Sequence, residues 1–300
     1  MLMQKVMEKR RSVREYKHKE LEAQDLEILQ EIIDQVPTIV SSVQVRFHLV
    51  RHGASAFKAL TGVAGYNGVM IEAPHYLVIL SNAHDHQFKA SGYVAEWLVL
   101  NLTKHNIGSC WIDTNKQGDQ IKNILNLETT DDVVGLLAIG YGAKDVRLSN
   151  VFEVNGGVTV ATIGSTGYPK MAVNYVPVPV SGRVAIHELV YLNQWGDSLT
   201  FDELEQRGLS EVFYYMRLAP SWGNQQPWKF ILHKNQILLA VKKEYGASDS
   251  RITEIDAGIA MLYFETAMHS EGLTGAWSFT ELENRVSIPD AYVLAGVYTY

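Results

Sequence analysis

The chain carries the same module twice, and this duplication limits the folds open to it. Displaced against itself by 183 positions, the 300-residue sequence lays Leu21, Glu22, Leu26, Pro37, Phe47 and Leu49 on Leu204, Glu205, Leu209, Pro220, Phe230 and Leu232. A displacement of 166 lays Gly92, Ile107 and Trp111 on Gly258, Leu273 and Trp277, and one of 157 lays Leu137, Ala138 and Tyr141 on Leu294, Ala295 and Tyr298. The falling offset means that copy one holds about 17 extra residues before Gly92 and about nine more before Leu137. Residues 1–150 are assigned to copy one, 151–182 to a connector and 183–300 to copy two, with the copies expected to form one intertwined unit.

Each copy alternates helical and extended patterns. Lys19 to Val36 has a stripe of Leu21, Leu26, Leu29, Ile32, Ile33 and Val36, predicting a helix ended near Pro37, and Phe201 to Leu218 repeats it. Gln44–Val50, His75–Leu80 and Val134–Tyr141 read as strands, and so do Trp228–His233, Gln236–Val241 and Tyr292–Tyr298. Ser91–Asn106 and Asp256–Glu271 are apolar nearly all round, which predicts helices buried on several sides and packed on each other across the copies. Val151–Gly182, rich in Gly, Pro and β-branched residues, is too long for a tight turn. The order predicts an α+β layer structure in each copy, without the Gly-x-Gly-x-x-Gly of a parallel dinucleotide-binding sheet.

Composition narrows the function classes. A hydrophobic content of 47% with 20% charged residues describes a folded chain, and a formal charge of −7 speaks against a general affinity for nucleic acid or anionic membrane. No apolar stretch approaches the roughly 20 residues that span a bilayer. The first residues lack the apolar core of a signal peptide, so a cytoplasmic location is expected. The single cysteine, Cys110, excludes an internal disulfide framework and a cysteine zinc site, and it is expected in the core. Tyr93 and Trp97 are expected in the interface between copies. His84-Asp85-His86 has two histidines and no third metal partner, so no metal is expected.

The copies differ where chemistry would be carried. Lys9-Arg10-Arg11-Ser12-Val13-Arg14 packs four cations and a hydroxyl into six positions before the first helix. Guanidinium forks match phosphate geometry, so the run reads either as a phosphate clamp or as a solvated basic segment. Copy two has Asn193-Gln194-Trp195-Gly196-Asp197 there. It has in turn Ala219-Pro220-Ser221-Trp222-Gly223-Asn224-Gln225-Gln226-Pro227-Trp228 where copy one reads Val36-Pro37-Thr38-Ile39-Val40-Ser41-Ser42-Val43-Gln44-Val45. Prolines at both ends, polar Ser221, Asn224 and Gln226 and two indoles suit a planar, hydrogen-bonding heterocycle, or an ordinary helix-to-strand loop.

Together, Arg-Arg-Ser-x-Arg before the opening helix and Ala-Pro-Ser-x-x-Asn-x-Gln-Pro-Trp after it resemble the two signatures of the FMN-dependent nitroreductase family. The helix ending at Asn106-Ile107-Gly108-Ser109-Cys110-Trp111-Ile112 and the strand Leu136-Leu137-Ala138-Ile139-Gly140-Tyr141 look like that family's central helix and closing strand. The resemblance covers most of the chain, leaving out the connector and the insertion around Arg51 to Gly68. It implies a nitroreductase-like three-layer α+β fold, with two tandem copies in one chain forming an intramolecular pseudo-dimer, so that a monomer suffices. By the same resemblance Arg10, Arg11, Ser12 and Arg14 would hold the phosphate, ribityl and pyrimidine edge of FMN. Pro220, Ser221, Trp222 and Asn224 would approach from copy two, with Gln226 supporting the loop. The backbone of Asp113 and Thr114 would lie near flavin N5, and Lys144 or Arg147 would add a phosphate contact. Trp222 stands where the family commonly has a small polar residue, a place from which an indole covers the flavin or narrows the substrate side.

The chemistry so implied is ping-pong reduction of a small nitroaromatic or quinone-like acceptor by NAD(P)H, with no protein nucleophile or base. Copy two has no clamp of its own and Asp197 would repel phosphate, so one FMN per chain is expected. Another flavin reaction on this scaffold (reductive dehalogenation, flavin fragmentation, ring dehydrogenation) and flavin binding without turnover stay open. So does a lid role for the insertion.

Overall fold

The computed structural model describes residues 2–66, 69–143, 151–154, 157–160, 182–243, 250–279 and 286–300. The first half runs α1 (Met3–Lys9), α2 (Ala23–Asp34), β1 (Val45–Val50), α3 (Gly53–Leu60), β2 (His75–Ser81), α4 (Gln87–Lys104), β3 (Gly108–Ile112), α5 (Gly118–Ile124) and β4 (Asp132–Gly140). β5 (Val151–Val154) and β6 (Gly157–Val160) pair as a small antiparallel hairpin. The second half runs α6 (Ile186–Leu189), β7 (Val190–Leu192), α7 (Phe201–Gln206), α8 (Ser210–Met216), β8 (Trp228–His233), β9 (Gln236–Lys242), α9 (Ser250–Ser270), β10 (Ala276–Ser278) and β11 (Tyr292–Thr299).

The two sheets repeat one topology. The first is ordered β1-β2-β4-β3 and the second β7-β8-β9-β11-β10, so the strands matched by the sequence displacements occupy the same places. β7 is an addition, parallel to β8 at the second sheet's edge. The extra residues of the first half have a structural meaning. They supply α3 and α5, whose Ala56, Leu60 and Ile121 cover the outer face of the first sheet over Tyr76, Val78, Leu136 and Ala138. The inner face, with Leu77, Ile79, Leu137 and Ile139, packs on Leu29 and Ile32 of α2 and on Leu98 and Leu102 of α4. Burial on both faces explains why β2 is apolar almost throughout where a half-exposed strand would alternate.

Several expected boundaries move for identifiable reasons. The stripe from Lys19 yields a helix only from Ala23, because Glu22 before it is extended (ψ 158°), and Leu21 donates its backbone N–H to His75 Nε2 (3.0 Å). The stripe from Phe201 to Leu218 is two helices. Gly208 takes a φ of +70°, and Gly208 and Leu209 return their N–H groups to Glu205 and Leu204, a Schellman stop. The matching position in copy one is Asp25, and α2 runs through it. The basic N-terminus also hides an element that the charge pattern obscures. α1 buries Val6 and Met7 in the largest core cluster, beside Leu204, Phe213 and Met268 of the second half. The N-terminal helix of one half thus completes the core of the other.

α4 and α9 cross at the centre. A Cβ on Gly92 would stand 2.1 Å from Ile255 O, and one on Gly258 would stand 1.9 Å from Lys89 O. These two glycines are equivalent under the displacement of 166, so each helix approaches the other at the same point of the repeat. Tyr93 Oη donates to Glu265 (2.7 Å) and Lys89 pairs with Glu254 (3.1 Å) across the same contact.

Two outcomes follow. Gly92→Ala and Gly258→Ala should each destabilise the chain by about 1–3 kcal/mol or more in chemical denaturation, because backbone has no rotamer to move. Gly118→Ala, whose Cβ would meet its nearest neighbour at 3.4 Å, should change stability by less than about 1 kcal/mol. A second outcome concerns pH. His75 accepts from Leu21 at Nε2 and meets Arg51 O with Nδ1 (2.9 Å), and burial lowers its pKa from 6.5. The unfolded chain therefore takes up this proton first. The stabilisation is complete above 6.5 and declines as pH falls through the window below it. Denaturation curves of His75→Gln should lack that slope.

Candidate cofactor site between the halves

The basic run leaves α1 and lies extended along β3, the edge strand of the first sheet. Ser12 forms a parallel bridge with Ser109, and Val13 donates its N–H to Ser109 O (2.8 Å). A Cβ on Gly108 would meet Val13 Cγ2 at 2.8 Å, so the glycine lets the segment close on the strand. Arg11, Ser12 and Arg14 are half-buried along this edge. Asp113 and Thr114 follow at the end of the same strand. Asp113 O accepts from Gly65 N (2.8 Å), and the buried Thr114 Oγ1 accepts from Arg251 of α9 (3.3 Å).

Arg10 reaches from this edge into the interface, with Nη1 still donating to Ser12 Oγ (3.5 Å). Its Nη2 donates to Glu96 Oε2 (3.2 Å), and its Nε stands 2.7 Å from Oε1 off the line of a hydrogen bond, an ionic contact. Glu96, on α4, is fully buried and also accepts from Trp111 Nε1 (2.7 Å) and from Tyr263 Oη of α9 (3.5 Å). Burial by itself lowers the Arg10 pKa, and the adjacent Glu96 more than reverses this, so the guanidinium stands above its ordinary value. Burial and the same carboxylate raise the Tyr263 phenol. The buried pair thus joins the basic run to both central helices.

The second half brings its loop to the same place. Trp222 to Asn224 form one 3-10 turn with left-handed φ at Gly223 (+56°) and Asn224 (+57°). Asp256 of α9 accepts the Trp222 backbone N–H (2.9 Å), and Ser221 Oγ accepts that of Gln226 (2.8 Å). The Trp222 ring meets Tyr66 of the first half, with centroids 5.2 Å apart. Pro220, Ser221 and Trp222 are partly exposed, whereas Gln226 is buried. Lys144 and Arg147 lie outside the described residues.

Two cations that the motifs do not include join the cluster. Arg183 donates to Leu218 O, Ala219 O and Asn224 Oδ1, and burial pushes its pKa down to about 10, with Arg10 and Arg217 acting in the same direction against Tyr263 and Glu96. Arg217 has a buried Nε without a hydrogen-bond partner. Neither shows in the sequence, because Arg183 follows the connector without a repeat partner and Arg217 sits within a helical stripe. The Arg183 guanidinium is taken up by the loop, which leaves Arg11, Ser12 and Arg14 as the donors that suit a phosphate-bearing group. Among the described residues no three His, Cys, Asp or Glu side chains gather to hold a metal ion. His84 instead meets Ser42 and accepts the His86 N–H, while His86 stacks on Phe279.

The mirror position is stripped of these groups. Displacement by 166 puts Leu262 at Glu96 and Ala90 at Asp256, and displacement by 183 puts Asn193 at Arg10 and Val43 at Gln226. Trp277, the counterpart of Trp111, donates to Met261 O instead of a carboxylate (3.3 Å). The mirror loop borders a cavity of about 350 Å³ lined by Pro37, Ile39, Val43, Ala90 and Val94 among others.

The family model described as "Putative TM nitroreductase" matches residues 2–161. The chain belongs to this nitroreductase family. The fold described above has a counterpart along nearly the whole chain. The "putative nitroreductase" of Thermotoga maritima MSB8 is 14% identical, with a TM-score of 0.54 over 99% of this chain and 92% of that one. The nitroreductase with bound FMN from Bacteroides fragilis NCTC 9343 is 20% identical, with a TM-score of 0.42 over 53% of this chain and 98% of its own. The FMN-dependent nitroreductase from Clostridium difficile R20291 is 20% identical, with a TM-score of 0.41 over 48% of this chain and 90% of its own. No curated protein matches the chain. No helix among the described residues is long and apolar enough to cross a membrane.

Glu96→Ala should leave Arg10 as a buried, unpaired cation and cost about 3–5 kcal/mol in chemical denaturation. Replacing both partners, Arg10→Met with Glu96→Leu, should recover most of that loss. A double variant as unstable as Glu96→Ala would count against the pair as the source.

Proposed function

We propose that the chain is an FMN-dependent oxidoreductase of nitroreductase type, passing hydride from NAD(P)H to small nitroaromatic or quinone-like acceptors by a ping-pong route. The observation that carries this is the convergence of the two motifs. The basic run, through Arg10 and Glu96, is linked to Tyr263 of α9, and the Ser221–Asn224 loop is tied to Asp256 of the same helix, so the two motifs, each intact in only one copy, share one anchor. Bound FMN would supply the hydride chemistry that links nicotinamide oxidation to reduction of the acceptor.

The residues of the chain bind and orient. Arg11 and Ser12 hold the phosphate and ribityl chain, with Lys144 or Arg147 as further phosphate contacts. Arg14 lies at the pyrimidine edge, where a guanidinium favours negative charge. The Asp113 and Thr114 backbone flanks the N5 region. Pro220, Ser221 and Trp222 face the ring, while Asn224 and Gln226 hold the loop. Arg10, committed to Glu96, anchors the run. One FMN binds per chain, and a single chain suffices as a pseudo-dimer of residues 1–150 and 183–300.

The Tyr66–Trp222 contact favours a second reading, in which the indole covers the flavin and the protein binds it without turnover. Flavin titration with stopped-flow mixing separates these. Visible absorbance should saturate at one FMN per chain and bleach on addition of NADH or NADPH. Arg14→Ala should weaken FMN by about 1.5–3 kcal/mol, as loss of a charge-assisted bond does, and Asp197→Ala should leave it unaltered. Two tight flavins per chain would refute the one-sided site, and bound FMN bleached by neither nicotinamide would favour the passive binder.

A further inference from the structure

Gly182, Arg183 and Val184 are gripped by the loop that carries the second motif. Arg183 Nη1 donates to Ala219 O (2.6 Å) and Asn224 Oδ1 (3.1 Å), and Nη2 donates to Leu218 O (2.9 Å). The loop answers with Asn224 Nδ2 to Gly182 O (2.8 Å) and Gln226 Nε2 to the same oxygen (2.9 Å). Val184 N donates to Gln226 Oε1 (2.9 Å). Asn224 and Gln226 both hold left-handed φ, +57° and +49°, a conformation that asparagine tolerates but glutamine keeps only where its surroundings over-determine it. Six hydrogen bonds to three consecutive residues do so here. The side chains of Asn224 and Gln226 are therefore spent on residues 182–184.

We propose that Arg183 is the positioning residue of this loop: it fixes Asn224 and the 218 and 219 carbonyls, and so sets where Ser221 and Trp222 stand against a bound flavin. A planar guanidinium can reach three acceptors in fixed directions, which an ammonium on a flexible stem cannot. Among the described residues no arginine clasps the mirror loop: displacement by 183 carries Arg183 off the start of the sequence and places Ser41 and Val43 at Asn224 and Gln226, and Asn82 bonds Ser42 O and Gln44 N instead. This role rests on the reading that the loop faces flavin, although the clasp itself can be tested without one.

Arg183→Met, Arg183→Lys, Asn224→Ala and the Met/Ala double variant are titrated with FMN and with riboflavin, after circular dichroism and thermal melting have established folding. Arg183→Met should weaken both ligands by the same factor, about tenfold or more. Lys should not rescue it, and the double variant should bind no worse than the weaker single. Loss confined to FMN would make Arg183 a phosphate ligand and overturn the proposal. Unchanged affinity, or losses that multiply in the double variant, would overturn it as well. If Arg183→Met does not fold, Arg183→Lys carries the same expectations. Hydrogen exchange of the flavin-free chain gives the independent arm: amides of 218–226 should exchange about tenfold faster in the Arg183 variants, while those of the mirror loop 36–44 do not change. Unaltered exchange would sink the clasp, whereas a wild-type chain that binds no flavin would sink only the proposed function.

Discussion

The close approach of α4 and α9 is the constraint on which the rest depends. Two backbones can come this near only where neither residue has a side chain, and the repeat supplies a glycine to each helix at the equivalent position. With the helices in contact, residues on both sides become shared property. Glu96 of one helix meets Tyr263 of the other, and Lys89 reaches Ala295 O beyond α9. α1 then closes the arrangement from the first half onto the second, with Val6 and Met7 in a core made mostly of second-half residues.

Around this nearly symmetric contact the Arg10–Glu96 pair and the Asp256 tie each stand at only one of two equivalent places. A buried carboxylate is costly unless cations and donors surround it, and Glu96 has Arg10, Trp111 and Tyr263. The mirror position avoids that cost with Leu262, and Trp277 makes do with a backbone carbonyl. In the same way Asp256 ties the Trp222 backbone to α9, where Ala90 offers the mirror loop nothing. Duplication preserved the packing, and divergence concentrated charge at one of two equivalent places.

Much of the fold was legible in apolar periodicity. The matched strands, the two all-round apolar helices and their mutual packing lie where the pattern predicts, because burial on several faces leaves few residue types to choose from. α1 was not legible, since Lys5, Glu8 and Lys9 break up a short apolar face whose partner is nearly the whole chain away. The break at Gly208 was legible only as a glycine inside a stripe, a weak signal until the Schellman bonds are seen. At the site, the two motifs named segments but not the direction of each side chain. Arg10 reads as a clamp residue from the run and is turned into Glu96. Arg183 belongs to no motif at all, because hydrogen bonds to carbonyls leave no trace in residue type.

The sequence by itself determined that there are two copies of one α+β unit, which strands correspond, and that the cations belong to one copy and the polar loop to the other. Those properties are carried by periodicity and by residue identity, both local. Only the tertiary structure decided which arginine pairs with a buried carboxylate, which residues clasp the loop, and that α1 crosses between halves. Each of these depends on groups far apart in the chain, and their partners are chosen by the geometry of the helix crossing, which residue order alone does not encode.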